Sequence, residues 1–248
     1  MKRSAVLVMA AAALFVFVAR VRAQSPAAAA ANAKAAPGVA AKDSSHPSIS
    51  GVWFMRGSMV PAIVPQQDAP MLPYAVEKQK ASRQQIDPEL HCFPPGVPRI
   101  WVIPAPFEII QLPDRVLIYH EFQHLVRQIH LNREHPTGAD LIATWMGDST
   151  GRWEGDTLVI DTVGFNDKTR LDVAGLPHSD ALHTIERLSL ASPNVLQLDL
   201  TIEDPKAYSK PMTAHRIYDR KPGWEIGEWI CEENNTYIGV NTPVTPEK

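Results

Sequence analysis

The chain has 248 residues, 45% of them apolar and 21% charged, with a formal charge of −3 and two cysteines. An acidic balance of this kind is a poor match for nucleic acid or anionic lipid, which are met by clustered Lys and Arg. No phosphate-binding loop, dinucleotide fingerprint or haem-attachment motif is present, so no cofactor is expected.

Residues 1–23 read as a secretory signal peptide: Lys2 and Arg3, an uncharged run from Ala5 to Ala19, then Val21 and Ala23 spaced for cleavage. The run is shorter than the roughly 20 residues that span a bilayer, and no cysteine follows to accept a lipid. The mature chain is therefore expected to be exported, periplasmic or secreted, without membrane insertion. Cleavage removes Lys2, Arg3, Arg20 and Arg22 and no acid, which turns −3 into −7. Residues 24–46 are alanine-rich with little periodicity, as expected of a flexible tether that cannot offset its ordering entropy. Residues 47–241 have the length of one domain with a sizeable core, and 242–248 form a tail.

Within that domain "ISGVWFM" is a short strand candidate, and Tyr74–Gln85 is the one clear helix signal, with good helix formers between Pro73 and Pro88. Prolines recur from Pro88 to Pro113, which predicts an extended wrapping segment. From Phe107 onward the pattern is strands. "FEIIQL" and "RVLIYHEF" flank Pro113 and Asp114, "HLVRQIHL" follows, "TIERLSL" and "VLQLDLTIED" flank "ASPN", and "AHRIYD" and "EIGEWIC" flank "RKPGW". In "GRWEGDTLVIDTVGFND" Gly155 and Asp156 form a two-residue loop whose glycine supplies the positive φ of a type II′ turn. That register sets Trp153 opposite Leu158 and facing the core, leaves Asp156 at an exposed turn, and sends Asp161 outward with Val159. The clearest alternation runs from Leu196 through Leu198 and Leu200 to Ile202. About eight consecutive antiparallel strands predict a mainly β fold, a meander closed or nearly closed into a barrel, with one short N-terminal helix.

The run "GRWEGDTLVIDTVGFND", with "PHSDALHTIER" and "CEENN" beyond it, resembles an uncharacterised family of exported bacterial proteins over most of the chain after about residue 48. The resemblance implies an export-competent domain and no defined activity. The strand count is also similar to that of lipocalin-type barrels, a likeness of architecture alone.

Cys92 and Cys231 stand near opposite ends of the domain, where an oxidising compartment favours a disulfide over a metal pair; two buried, unpaired thiols are the alternative. "HEFQH" matches the zinc-peptidase spacing, but that motif works on a helix. In a strand His120 and His124 would lie roughly 13 Å apart, and only a bulge at Gln123 would revive a metal site, so none is expected.

Strand faces point to acid–base chemistry instead. His120 shares an inward face with Val116, Ile118 and Phe122. Glu186 shares one with Leu188 and Leu190, within reach of His120, His215 or Arg216, since the strand Thr213–Tyr218 sends in either His215 with Ile217 or Arg216 with Tyr218. An interior glutamate needs a partner or takes up a proton. It is either paired with Arg216 or Arg187, or it is an acid or base facing a cavity. Loop histidines add candidates: His178, beside Ser179 and Asp180, and His135, near Arg133 and Asp140. Three readings follow. The first is an enzyme, a barrel that holds a small, partly apolar molecule in its interior or mouth and transforms it with Glu186 and one or two of His120, His135 and His178. The second is a carrier with the same cavity and no chemistry, and the third a structural envelope protein.

Overall fold

The computed structural model describes residues 46–57, 62–83 and 85–234; the expected signal peptide, the tether up to residue 45 and the C-terminal tail lie outside them. The strands are β1 (Gly51–Met55), β2 (Phe107–Gln111), β3 (Arg115–His120), β4 (Val126–Leu131), β5 (Asp148–Glu154), β6 (Thr157–Val163), β7 (His183–Ser192), β8 (Val195–Glu203) and β9 (Met212–Arg220). Each pairs with the next, and β1 also pairs with β9 from Trp53↔Arg220 to Met55↔Tyr218, so the barrel is closed. This is the expected barrel with nine strands in place of about eight. It is not a pure meander: β4 and β5 are parallel. The 132–147 connection between them is long enough for the crossover that parallel pairing requires.

Alternation builds the interior. Leu196, Leu198, Leu200 and Ile202 on β8 are all buried, as are Val116 and Ile118 on β3. In the β5–β6 hairpin Trp153 pairs with Leu158, and the positive φ falls on Gly155, at +58°, as a type II′ turn demands. Two details of that hairpin differ from expectation. Trp153 is half-buried at the core's edge, stacked on His46 at 4.7 Å, because it stands at the barrel's end. Val159 is buried on the outer face, flanked across the sheet by Arg152 and Arg187. Both arginines pair with Glu154, and their stems cover it.

The helix α1 spans Pro73–Ser82, and a last turn, α2, spans Cys231–Asn234. The proline-rich segment does more than wrap. Its 3-10 turn Arg99–Val102 is wholly buried, and Trp101 lies among Phe107, His120 and Tyr218. The "RKPGW" hairpin does not form. Residues 221–230 carry no strand, since β9 finds its second partner in β1, and the chain instead runs back over residues 121–124. There Gly227 N donates to Glu121 Oε2 at 2.8 Å, His124 Nε2 lies 2.9 Å from Gly227 O, and Trp229 packs on Phe122. Cys231 at the end of this strap is bonded to Cys92, with an S–S distance of 2.03 Å.

Candidate functional site

Glu186 points inward as its strand pattern requires and has no exposed surface. Its partner is none of the expected residues. Arg127 on β4, itself buried, donates to both carboxylate oxygens at 3.0 and 2.6 Å, and also to Ser149 and Thr162. Trp101 Nε1 donates to the same carboxylate at 2.5 Å. Arg216 does lie on the Tyr218 side of its strand, but it donates to the carbonyls of Ala62 and Ile63. His215 is exposed and pairs with Asp199 at 2.6 Å. The barrel axis thus holds a bidentate ion pair under an indole, with Tyr218 Oη donating to Trp101 O at 2.8 Å.

His120 faces inward against Trp101 and Phe107. Burial, with the nearby Arg127 charge, pushes its ring down to about 3. Its former motif partner, His124, faces the strap, so the two rings point to different places despite the turn at Gln123, whose φ is +55°. His178 is fully buried, and burial lowers its ring below the ordinary imidazole value. Its Nε2 lies 2.6 Å from Thr169 Oγ1, while Ser179 donates to Asp204 and Asp180 pairs with Lys206. These residues therefore do not form a triad. His135 is half-buried between Asp148 and Asp161; Arg133 reaches it through Asp148, and Asp148 takes the place expected of Asp140.

An opening that the strand pattern did not signal lies outside the barrel. A cleft of about 560 Å³ is bounded by the end of α1, the residues before and after Pro88, Trp145 and residues 167–170. Phe93 and Trp145 stack in it at 5.1 Å, 10° from parallel. Ile86, Pro88 and Pro177 continue the apolar wall, and Lys78, Lys168 and Arg170 stand at the rim against the single carboxylate of Asp167. Lys78 is engaged by Asp167 at 2.8 Å and Arg170 by Asp87 at 3.3 Å. Thr169, backed by His178, forms part of the floor. Gly96 passes beneath with φ +77°, and a Cβ there would meet Thr169 Oγ1 at 2.8 Å and Trp145 O at 2.9 Å, so only glycine fits. The disulfide fixes Cys92 next to Phe93. The available signal was two aromatic residues, Phe93 and Trp145, in segments without strand alternation.

No family model matches the chain, and no curated protein does. Among solved structures it is similar to a REP1-NXSQ fatty acid transporter, with 12% identity over 69% of this chain and 95% of that one and a TM-score of 0.32. It is also similar to a mutant of the fluorescent protein UnaG, with 17% identity over 70% of this chain and 96% of that one and a TM-score of 0.34. These likenesses carry no argument about ligand or activity.

Proposed function

We propose that this is an exported small-molecule-binding protein whose ligand, partly apolar and bearing an anionic group, occupies the cleft between α1, Phe93 and Trp145. The observation that carries the reading is the contrast between two places. Inside the barrel Trp101 and the Arg127–Glu186 pair are buried and bonded to one another, whereas the cleft offers an aromatic wall, room for a small molecule and a cationic rim. Lys168 is the rim cation with no carboxylate against it among the described residues, and it is the group we assign to the ligand's anion. Export rests on the signal-peptide pattern of residues 1–23 and agrees with the Cys92–Cys231 bridge, which an oxidising compartment permits. No helix among the described residues is long and apolar enough to cross a membrane.

An acid–base enzyme is the second reading, favoured by one observation. Of Glu186, His120, His178 and His135, only the last keeps solvent access, at 21% of its side-chain surface, and it does so between two carboxylates. The deciding experiment is native mass spectrometry of the purified protein and of Trp145→Ala, with binding of an anionic aromatic dye, 1-anilinonaphthalene-8-sulfonate, measured in parallel. A co-purified mass or dye affinity lost in Trp145→Ala and weakened in Lys168→Glu supports the cleft. Binding that survives both changes removes it.

A further inference from the structure

A second cluster lies on the outer wall. His135 Nδ1 is 2.8 Å from Asp148 Oδ1, and its Nε2 is 3.0 Å from Asp161 Oδ1. His183 Nε2 is 3.0 Å from that same oxygen, and its Nδ1 is 3.1 Å from Glu203 Oε2. Arg133 closes one end on Asp148 at 2.5 Å, and Thr150 Oγ1 lies 3.3 Å from His135 Nε2. Strand register produces the row. Thr150 is opposite Asp161 and His183 is opposite Glu203, so one outward stripe crosses β5, β6, β7 and β8, with the 132–147 connection folded over its end.

The row contains a proton count. Carboxylates only accept, and a neutral imidazole has a single N–H. Four imidazole nitrogens face carboxylate oxygens, so two neutral rings satisfy two of the four contacts and two protonated rings satisfy them all. With both rings protonated, Asp148, Asp161 and Glu203 are balanced by Arg133 and two imidazoliums. With both neutral, the row has two uncompensated negative charges. Among the described residues no group of three or more His, Cys, Asp or Glu side chains is placed to hold a metal ion.

We propose that this row is a proton-dependent latch that holds the 132–147 connection against the barrel wall and, through Trp145 on the same connection, makes occupancy of the cleft depend on pH. The second half rests on the cleft reading above; the latch itself does not. Backbone bonds pin the connection at Asn132, N to Gly151 O, and at Thr144 beside Trp145, N to Gly164 O, and between these points Arg133 and His135 tie it to the wall. The hydrogen bond to Asp161 raises the His183 ring above its ordinary value against the opposing effect of burial, and the same bond lowers Asp161. Below about pH 6.5 the latch is closed, and it opens as pH rises through the elevated His183 value.

The test is hydrogen exchange of residues 133–143 in the full chain between pH 5.5 and 9, normalised to intrinsic rates, with the imidazole signals followed by NMR. The expected result is a several-fold rise in normalised exchange, tracking deprotonation of His183. In His183→Gln, which cannot hold the proton, exchange should be fast at every pH, and Glu203→Gln, a milder change, should reduce the pH response. Exchange that is flat with pH in the parent, or a response unchanged in both variants, overturns the latch. Dye binding is measured alongside in a His91→Gln background, since His91 also lines the cleft. Weaker binding at pH 8.5 than at pH 6 supports the coupling. Equal binding while exchange changes overturns the coupling and leaves the latch, whereas absence of dye binding at any pH counts against the cleft and leaves the latch to be judged by exchange alone.

Discussion

At the level of single residues, the interior ion pair decides most. Glu186 on the inward face was legible from the alternation of β7. Its partner was also written in the sequence, as an arginine at the inward position of "HLVRQIHL" beside Ile129, but a strand pattern gives faces and not neighbours, so Arg216 and Arg187 were equally plausible. A buried charge stripped of its partner costs about 3 to 5 kcal/mol. Glu186→Gln is therefore expected to destabilise the protein by about that amount in urea unfolding, with dye binding in the cleft unchanged in the folded protein. Replacing both partners, Arg127→Met with Glu186→Leu, is expected to cost less than either single change, because no charge is left unpaired. A single variant as stable as the parent would show that Trp101 and Thr162, not the pair, hold this layer together. Trp153→Ala, at the core's edge and stacked on His46, is expected to fall below the roughly 3 to 5 kcal/mol of a fully buried large-to-small change.

Elements show where local pattern stops being informative. Hairpins around short turns were readable because partner strands are sequence neighbours: β2 with β3 across Pro113, β5 with β6 across Gly155, and β7 with β8 across Pro193. The parallel β4–β5 pair was not, since its partners are separated by the 132–147 connection and the strand text is the same in either direction. "HEFQH" is the sharper case. Its spacing suggested a metal, yet the chain turns at Gln123, and Glu121 and His124 bind the strap that ends at Cys231. That strap meets the wall of the cleft through the disulfide, whose two ends are 139 residues apart. The chain-entropy model assigns roughly 4 to 5 kcal/mol to so long a loop. Reduction, or the Cys92→Ala and Cys231→Ala pair, is expected to lower the thermal midpoint and to weaken binding in the cleft, since Phe93 adjoins the bridge. Calorimetry with and without reductant checks the first effect and dye titration the second. Binding unaffected by reduction would show that Phe93 is held by the Trp145 stack alone.

Across the whole molecule, histidines placed in opposite environments set a stability maximum near neutral pH. His120 and His178 are buried, and burial lowers both rings. An unfolded imidazole takes up a proton near pH 6.5, whereas His120 in the fold resists until about 3, so the unfolded state binds more protons between these values and stability falls as pH falls below about 6.5. At pH 5 that difference from His120 alone amounts to about 2 kcal/mol. Asp161, lowered by its bond to His183, works in the same direction at still lower pH, where its protonation removes the bond. His183 has the opposite sign. Its folded value is raised, so its contribution is complete below about 6.5 and is lost as pH rises through the elevated value. The thermal midpoint is therefore expected to decline on both sides of neutrality for different reasons, and one substitution separates them. The His120 Nε2 is buried without a hydrogen-bond partner, so His120→Leu removes a titrating group while leaving no acceptor or donor bereft. That variant should match or exceed the parent at pH 7, show a flatter acid limb between pH 6.5 and 4, and retain the alkaline limb. An acid limb as steep as the parent's would move the acid sensitivity from His120 to His178 and its bond with Thr169, behind the floor of the cleft.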